Sequence, residues 1–246
     1  MYQKESSPMG IEHVRAMTSL FFYKTHVGIY SSTHNTMTFT VISGGANGVD
    51  LEAEKLARHY GLKVKVLIPP CHPRRASVQP LTHQQLAEAI PLTTQVANRL
   101  NKQLTNPISL QYIHRKYHVV KQPDMVLAMT SLDPERKVCM GETGWAVEMS
   151  KVLNKVLYVY DVERNIWFWY NPHQDFFYAC DQMSNEQYAL PTLVQKTAIL
   201  GVRNLYDYPE TLLELQETFK RSLNLPKQEC KDVKKICNPF SLLSIL

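Results

Sequence analysis

The stretch that decides the fold is residues 38–50, which read TFTVISGGANGVD. A β-branched and aromatic run ends at Ser43 and is followed at once by glycines, which is typical of a buried strand that ends in a tight turn. Apolar residues then recur at helical spacing and predict an amphipathic helix over 50–60. The stretch 63–68, which reads KVKVLI, stops at two prolines and predicts a second strand. A strand, a helix and a strand in this order form the unit from which parallel sheets are built.

A second unit of the same kind follows further along the chain. An apolar strand is predicted over 124–129, a turn with two glycines over 141–144, a helix over 145–153 and a strand over 156–160. Two such units predict the α/β fold class, with a Rossmann-like three-layer fold and a mostly parallel central sheet.

The remaining segments show weaker patterns. The aromatic run 166–170 predicts an edge strand or a hairpin arm, and 27–30 fits a short strand. Helical periodicity predicts further helices over 82–104 with a break near Pro91, over 109–120 and over 209–223.

The chain length and composition fit one globular domain with appendages. The chain has 246 residues, of which 44% are apolar and 20% are charged. We predict an irregular N-terminal segment 1–37, a Rossmann-like nucleotide-binding domain 38–225 and a mobile C-terminal tail 226–246.

Charge and cysteine content narrow the expected partners and location. The net charge is +5, but lysines and arginines are spread along the sequence, which favours a small anionic ligand and disfavours nucleic acid. Five cysteines without a CxxC pair disfavour a disulfide framework and a zinc ribbon, and favour reducing conditions. The sequence shows neither an export signal nor a membrane span, so we expect a cytoplasmic protein with no membrane partner.

The two glycine turns predict a phosphate site. Each lies between a strand and a helix, where unpaired backbone N–H groups and the helix dipole attract an anion, and glycine allows close approach. In a parallel sheet both turns lie at the carboxyl edge, where ligands bind. The strict GxGxxG motif of dinucleotide-binding proteins is absent. The alternative is that these are tight turns with a packing role only. The candidate ligand-binding residues are Ser43, Gly44, Gly45, Asn47, Gly48, Asp50, Gly141, Glu142, Thr143 and Gly144.

The first turn with its helix and strand resembles the Rossmann-like SLOG superfamily. This superfamily includes the LOG phosphoribohydrolases, the DNA-processing protein DprA and small phage and bacterial nucleotide-binding proteins. The Arg115-Lys116 pair, the strand that opens at Asp124 and the turn 141–148 are similar to the LOG pattern. An extra crossing over 131–140 is more similar to the phage and bacterial branch.

The resemblance implies a nucleotide or nucleotide-derived ligand and a candidate reaction. In LOG enzymes the matching arginine and glutamate lie where the N-glycosidic bond of a nucleoside 5'-monophosphate is hydrolysed. Carried over, Arg115 would orient the substrate, and Glu148 would activate water or stabilise an oxocarbenium-like transition state. The resemblance also implies pairing through helices into a homodimer, and the sequence leaves the oligomeric state open.

Two departures keep a second interpretation open. Glu142 stands where the pattern has glycine and places a carboxylate where a phosphate is expected, and Trp145 replaces the usual threonine. The alternative to hydrolysis is therefore a non-catalytic nucleotide sensor or binding module. We expect no cofactor and no metal, because His114 and His118 lie one helical turn apart but lack a third ligand in the sequence.

Overall fold

The described part of the chain alternates between strands and helices. The computed structural model describes residues 38–72, 78–103, 105–133, 135, 137–180 and 189–225, so the predicted strand at 27–30 and the predicted tail 226–246 lie outside it. The strands are β1 (Thr40–Ser43), β2 (Lys63–Val66), β3 (Met125–Thr130), β4 (Leu132–Asp133), β5 (Val138–Cys139), β6 (Val156–Asp161), β7 (Ile166–Asn171), β8 (Phe176–Ala179) and β9 (Lys196–Gly201). The helices are α1 (Val49–His59), α2 (His83–Ala87), α3 (Ile90–Leu100), α4 (Pro107–Lys121), α5 (Thr143–Val152) and α6 (Pro209–Ser222).

A seven-stranded sheet runs through the centre in the order β2-β1-β9-β3-β6-β7-β8. The first five strands in this order, β2, β1, β9, β3 and β6, pair in parallel. Strands β7 and β8 extend the sheet as antiparallel strands. The short strands β4 and β5 form a separate antiparallel pair, which lies in the predicted crossing ahead of α5. The sheet confirms the predicted α/β fold class with a mostly parallel, Rossmann-like arrangement.

Helices cover both faces of the sheet and produce three layers. On one face α1 packs on β1 and β9, and α6 packs against α1, with a core that includes Val49, Leu215 and Phe219. On the other face α2 to α5 enclose a second core, built from residues such as Val120 and Trp145. The helix after β1 and the helix after β3 therefore lie on opposite faces, and the crevice between these strands is where ligands bind in open α/β sheets.

Strand β9 is the most central of the strands that the sequence analysis did not predict, and the others are the short strands β4, β5 and β8. It lies in the middle of the sheet, where Thr197 stands beside Met125 of β3 and Lys196 beside Thr40 of β1. Its sequence, KTAILG, is a short apolar run that includes an alanine and ends in a glycine. Such a run gives a weak strand signal, because strand preference depends on the neighbours that bury it.

Two other predictions were refined by the structure. The predicted helix 82–104 is divided into α2 and α3, and Pro91 lies in the first turn of α3, where its missing N–H is tolerated. The aromatic run forms β7, which pairs with β6 on one side and β8 on the other, so the hairpin-arm alternative is confirmed and β8 is the edge.

The first glycine turn is tied to β9 by close backbone contact. Val49 at the start of α1 donates its N–H to the carbonyl of Val202, at 3.1 Å. Gly48 has φ +81°, and a Cβ there would overlap the carbonyl oxygen of Val202. Only glycine fits this position, so the turn and the end of β9 form one rigid edge.

Gly48→Ala tests this contact against Gly61→Ala, since Gly61 also has positive φ but a Cβ at that position would meet no other atom within 4 Å. We expect Gly61→Ala to lower the free energy of unfolding by about 1 kcal/mol from backbone strain alone. Gly48→Ala should cost at least ~3 kcal/mol, because strain and overlap with Val202 add together. Denaturant titration measures both, and equal losses would contradict the rigid-edge interpretation.

Candidate functional site

A cavity of about 360 Å³ lies at the carboxyl edge of β1, β9 and β3. The first turn, helix α4, the second turn and the segment after β9 each contribute to its wall. Its lining residues are Ala46, Asp50, Arg115, Lys116, Thr130, Met140, Gly141, Glu142, Thr143, Leu200, Gly201, Val202, Arg203, Asn204 and Tyr208.

Asp50 joins three parts of this wall. Its Oδ1 accepts the N–H of Gly44 at 3.0 Å, and its Oδ2 accepts the N–H of Gly201 at 3.2 Å. Oδ1 also lies 3.9 Å from Nη1 of Arg115. Burial raises the pKa of Asp50, while Arg115 opposes that rise. Through these contacts Asp50 connects β1, β9 and α4.

Arg115 extends from α4 to the backbone of the first turn. Its guanidinium occupies the space that a Cβ on Gly44 would need. The residue is 3% exposed, and its Nε makes no hydrogen bond within the described part of the chain. Burial lowers the pKa of Arg115, and the neighbouring carboxylate of Asp50 counteracts this. A buried guanidinium with an unused donor beside a cavity favours an anionic ligand.

Lys116 adds a second buried cation. Its Nζ lies 4.0 Å from a carboxylate oxygen of Glu142, and 10% of its side chain is exposed. Burial and the adjacent Arg115 lower the pKa of Lys116 to about 8, so it is mostly charged at neutral pH.

The second turn presents backbone donors to the same cavity. Gly141 has φ +66° and open space around it, while Thr143 begins α5. Among the described residues, the N–H groups of Gly141, Glu142 and Thr143 donate no hydrogen bond. The carboxylate of Glu142 lies 2.6 Å from Nη2 of Arg203, which comes from the segment after β9. These free N–H groups at a helix N-terminus form a favourable environment for an anion.

The structure brings together five of the predicted site residues around the cavity. These are Asp50, Arg115, Gly141, Glu142 and Thr143. The lining does not include the other predicted residues, which are Ser43, Gly44, Gly45, Asn47, Gly48, Gly144 and Glu148.

Most of these other residues have a clear place in the fold. Ser43 is buried, donates to Glu54 and accepts the N–H of Gly45, and Asn47 is exposed. Gly144 lies in the first turn of α5, where a Cβ would overlap the carbonyl of Cys139. The glycines of the first turn likewise make room for the protein's own atoms.

Glu148 lies in a separate buried cluster. Its Oε1 lies 2.6 Å from Nζ of Lys151, and its Oε2 lies 3.2 Å from Nε of Arg99. Arg99 and Lys151 line a second cavity of about 390 Å³ beside Tyr170. The structure therefore does not bring Arg115 and Glu148 together around one cavity.

Comparison with known proteins gives a structural likeness. No protein-family model and no curated protein matches this sequence. The chain is similar to the crystal structure of the “Putative molybdenum carrier protein” from Syntrophus aciditrophicus SB, with 14% sequence identity and a TM-score of 0.45. The match covers 76% of this chain and 96% of that chain.

Sequence reasoning missed the part of the site that follows β9. Arg203, Asn204 and Tyr208 line the cavity, and none was among the predicted site residues. The sequence distinguishes Lys116 only as part of the Arg-Lys pair. An apolar run that ends at Gly201 and leads into polar residues was the signal available for this wall.

The described residues show neither a metal cluster nor a membrane-spanning helix. No three His, Cys, Asp or Glu side chains in this part of the chain lie close enough together to hold a metal ion. Nε2 of His118 lies 2.6 Å from the backbone carbonyl of Gln85, which gives that ring a structural partner. No helix of the described segments is long and apolar enough to cross a membrane.

Asp50→Asn should destabilise the protein strongly. An amide at this position would direct its NH₂ group at a backbone N–H and would remove the anionic partner of buried Arg115. We expect a loss of about 3 kcal/mol in the free energy of unfolding. Glu52→Gln breaks a more exposed pair with Lys55 and should cost less than ~1 kcal/mol. Denaturant titration measures the free energy of unfolding of both variants. Similar losses in the two would contradict the interpretation that Asp50 holds the cavity wall together.

Lys116→Met should have the opposite effect on stability. Because folding lowers the pKa of Lys116 from 10.5 to about 8, the buried charge destabilises the fold below pH 8, and this cost fades as pH rises toward 10.5. At pH 7 we expect Lys116→Met to gain about 1–3 kcal/mol in the free energy of unfolding. The gain should shrink between pH 8 and pH 10 in denaturant titrations. Lys121→Met, which changes an exposed lysine on the same helix, should show no such gain.

Proposed function

We propose that this protein binds a nucleotide or nucleotide-derived small molecule through its phosphate group in the cavity between the two glycine turns. The observation that carries the proposal is Arg115, a buried guanidinium with an unused donor, next to the buried cation of Lys116. Buried, incompletely paired cations lower the stability of a protein. Their position in a cavity wall at the carboxyl edge of the sheet, where ligands bind in α/β folds, supports a role in binding an anion.

The cavity offers the groups that hold a phosphate in other proteins. Arginine donates to two phosphate oxygens at once, lysine supplies a point charge, and free N–H groups at a helix N-terminus add directional hydrogen bonds. All three are present as Arg115, Lys116 and the turn at Gly141. The low exposure of both cations strengthens their attraction to an anion, because little water screens them.

The rest of the cavity suits the remainder of a nucleotide. A volume of about 360 Å³ lies within the range of small-molecule sites. Asn204 and Thr130 offer polar groups for a ribose, and Tyr208 and Met140 offer apolar surface for a base. The motifs that resemble the SLOG superfamily support the same ligand class.

Hydrolysis of an N-glycosidic bond is the second candidate. One observation favours it, since Asp50 is a buried carboxylate with a raised pKa in the cavity wall. Glu148, which the resemblance assigns to this reaction, is paired with Arg99 and Lys151 instead. Because Asp50 is already bonded to two backbone N–H groups, we favour binding without cleavage.

The proposal is tested by calorimetric titration of the full chain with AMP at pH 7. Adenosine, which lacks the phosphate, is the control. AMP should bind, and adenosine should bind at least about tenfold more weakly, because it lacks the phosphate oxygens that accept charge-assisted hydrogen bonds. Lys116→Met should weaken AMP binding by about tenfold while the protein stays folded. Binding to the unchanged protein should also weaken between pH 7 and pH 9 as Lys116 loses its proton, and this dependence should be absent from Lys116→Met.

The same samples separate the two candidates. Chromatography of each mixture after long incubation should show AMP unchanged if the protein only binds. Release of free adenine, abolished in an Asp50→Glu variant that stays folded, would favour hydrolysis. Equal affinity for AMP and adenosine would contradict the phosphate site altogether.

A further inference from the structure

Glu142 places a carboxylate among the cations of the cavity. One of its oxygens, Oε2, lies 2.6 Å from Nη2 of Arg203 and 4.0 Å from Nζ of Lys116. The same residue lies at the N-terminus of α5, where the turn leaves backbone N–H groups free within the described part of the chain. A negatively charged group therefore already stands where cations and free donors converge.

The charges of the cavity are nearly balanced while Glu142 is present. Among the described residues, the charged groups that line the cavity are three cations, Arg115, Lys116 and Arg203, and two carboxylates, Asp50 and Glu142. Without Glu142 the same wall would hold two more positive than negative charges at neutral pH. A phosphate monoester carries about −1.5 to −2 charges at pH 7, which matches that excess.

We propose that Glu142 acts as an internal counter-ion that a phosphate monoester displaces when it binds, so that the cations of the site exchange one negative charge for about two. This inference rests on the proposed function. A neutral nucleoside cannot replace the carboxylate, and a singly charged phosphodiester replaces it without any gain in charge.

The structure gives Glu142 the freedom that this role needs. Its side chain is 48% exposed, that of Arg203 is 56% exposed, and pairs at such exposure contribute little to stability. The Glu142 side chain makes no capping hydrogen bond to α5. At the preceding Gly141 an added Cβ would meet no atom within 4 Å, so the turn beside Glu142 is loosely surrounded.

Asp50 shows by contrast how a fixed carboxylate is held. It is 3% exposed and accepts hydrogen bonds from Gly44 and Gly201. Moving Asp50 would leave two backbone donors and Arg115 without their partner. Of the two carboxylates in the wall, Glu142 is therefore the one that a ligand can displace.

Glu142→Gln tests the inference, with Glu88→Gln as its matched control. Glu88 also has an exposed carboxylate, which pairs with Lys121, so its variant changes the net charge equally but away from the cavity. Calorimetry at pH 7 measures binding of AMP, the monomethyl ester of AMP and adenosine to each full-length protein. The ester keeps the nucleoside and one negative charge on phosphorus.

We expect Glu142→Gln to bind AMP about tenfold more tightly, because AMP no longer has to displace a carboxylate from the cations of a partly screened site. The monomethyl ester should gain about as much as AMP, because both ligands displace the same carboxylate, whereas a carboxylate that stayed in place would repel the doubly charged AMP more strongly. Glu88→Gln should stay within about twofold of the unchanged protein, as expected for a screened surface charge. Adenosine binding should not change in either variant.

The outcomes separate this inference from the proposed function. Unchanged or weaker AMP binding by Glu142→Gln, with AMP binding intact in the original protein, would overturn the counter-ion role alone. An equally large gain in AMP affinity in Glu88→Gln would overturn it too, because the change in net charge would then explain the gain. Absence of AMP binding in the original protein and in Glu142→Gln would overturn both proposals. Binding seen only in Glu142→Gln would also overturn both, because AMP would then be unable to displace the carboxylate of Glu142 in the unchanged protein.

Discussion

The carboxylate of Asp50 is the interaction on which the architecture of the cavity depends. It accepts one N–H from the first turn and one from the end of β9, and it faces the guanidinium of Arg115. Three elements that are distant in sequence are thereby held at one point. A buried carboxylate is costly to desolvate, so it persists where several donors compensate for the lost water. The glycine at position 44 follows from this arrangement, since Arg115 occupies the space of its side chain.

Three acidic residues, Asp50, Glu142 and Glu148, illustrate how surroundings assign different roles to one chemical group. Asp50 is buried and bonded to backbone donors, so it acts as a structural anchor. Glu148 is buried and shared between Arg99 and Lys151, in a cluster beside a different cavity. Glu142 is half exposed and bonded only through side chains, which leaves it able to move. Exposure and the kind of hydrogen-bond donor distinguish these residues.

The buried cations of the cavity wall lower the stability of the fold. Arg115 and Lys116 are both buried, and burial disfavours the charged form of each. The fold compensates part of this cost with Asp50 and Glu142, and the N–H groups of the second turn remain free within the described segments. In the proposed function, the phosphate of the ligand supplies the pairing that the protein itself leaves incomplete.

Local patterns in the sequence determined the α/β class, the two strand-turn-helix units and the position of both glycine turns. They could do so because strand alternation, helical periodicity and glycine act within a few residues. Tertiary structure alone decided that β9 lies between β1 and β3, that Arg203 and Tyr208 reach the cavity, and that Glu148 pairs away from Arg115. The physical reason is that these contacts join residues far apart in the chain, and their partners are set by sheet order and burial rather than by local propensity.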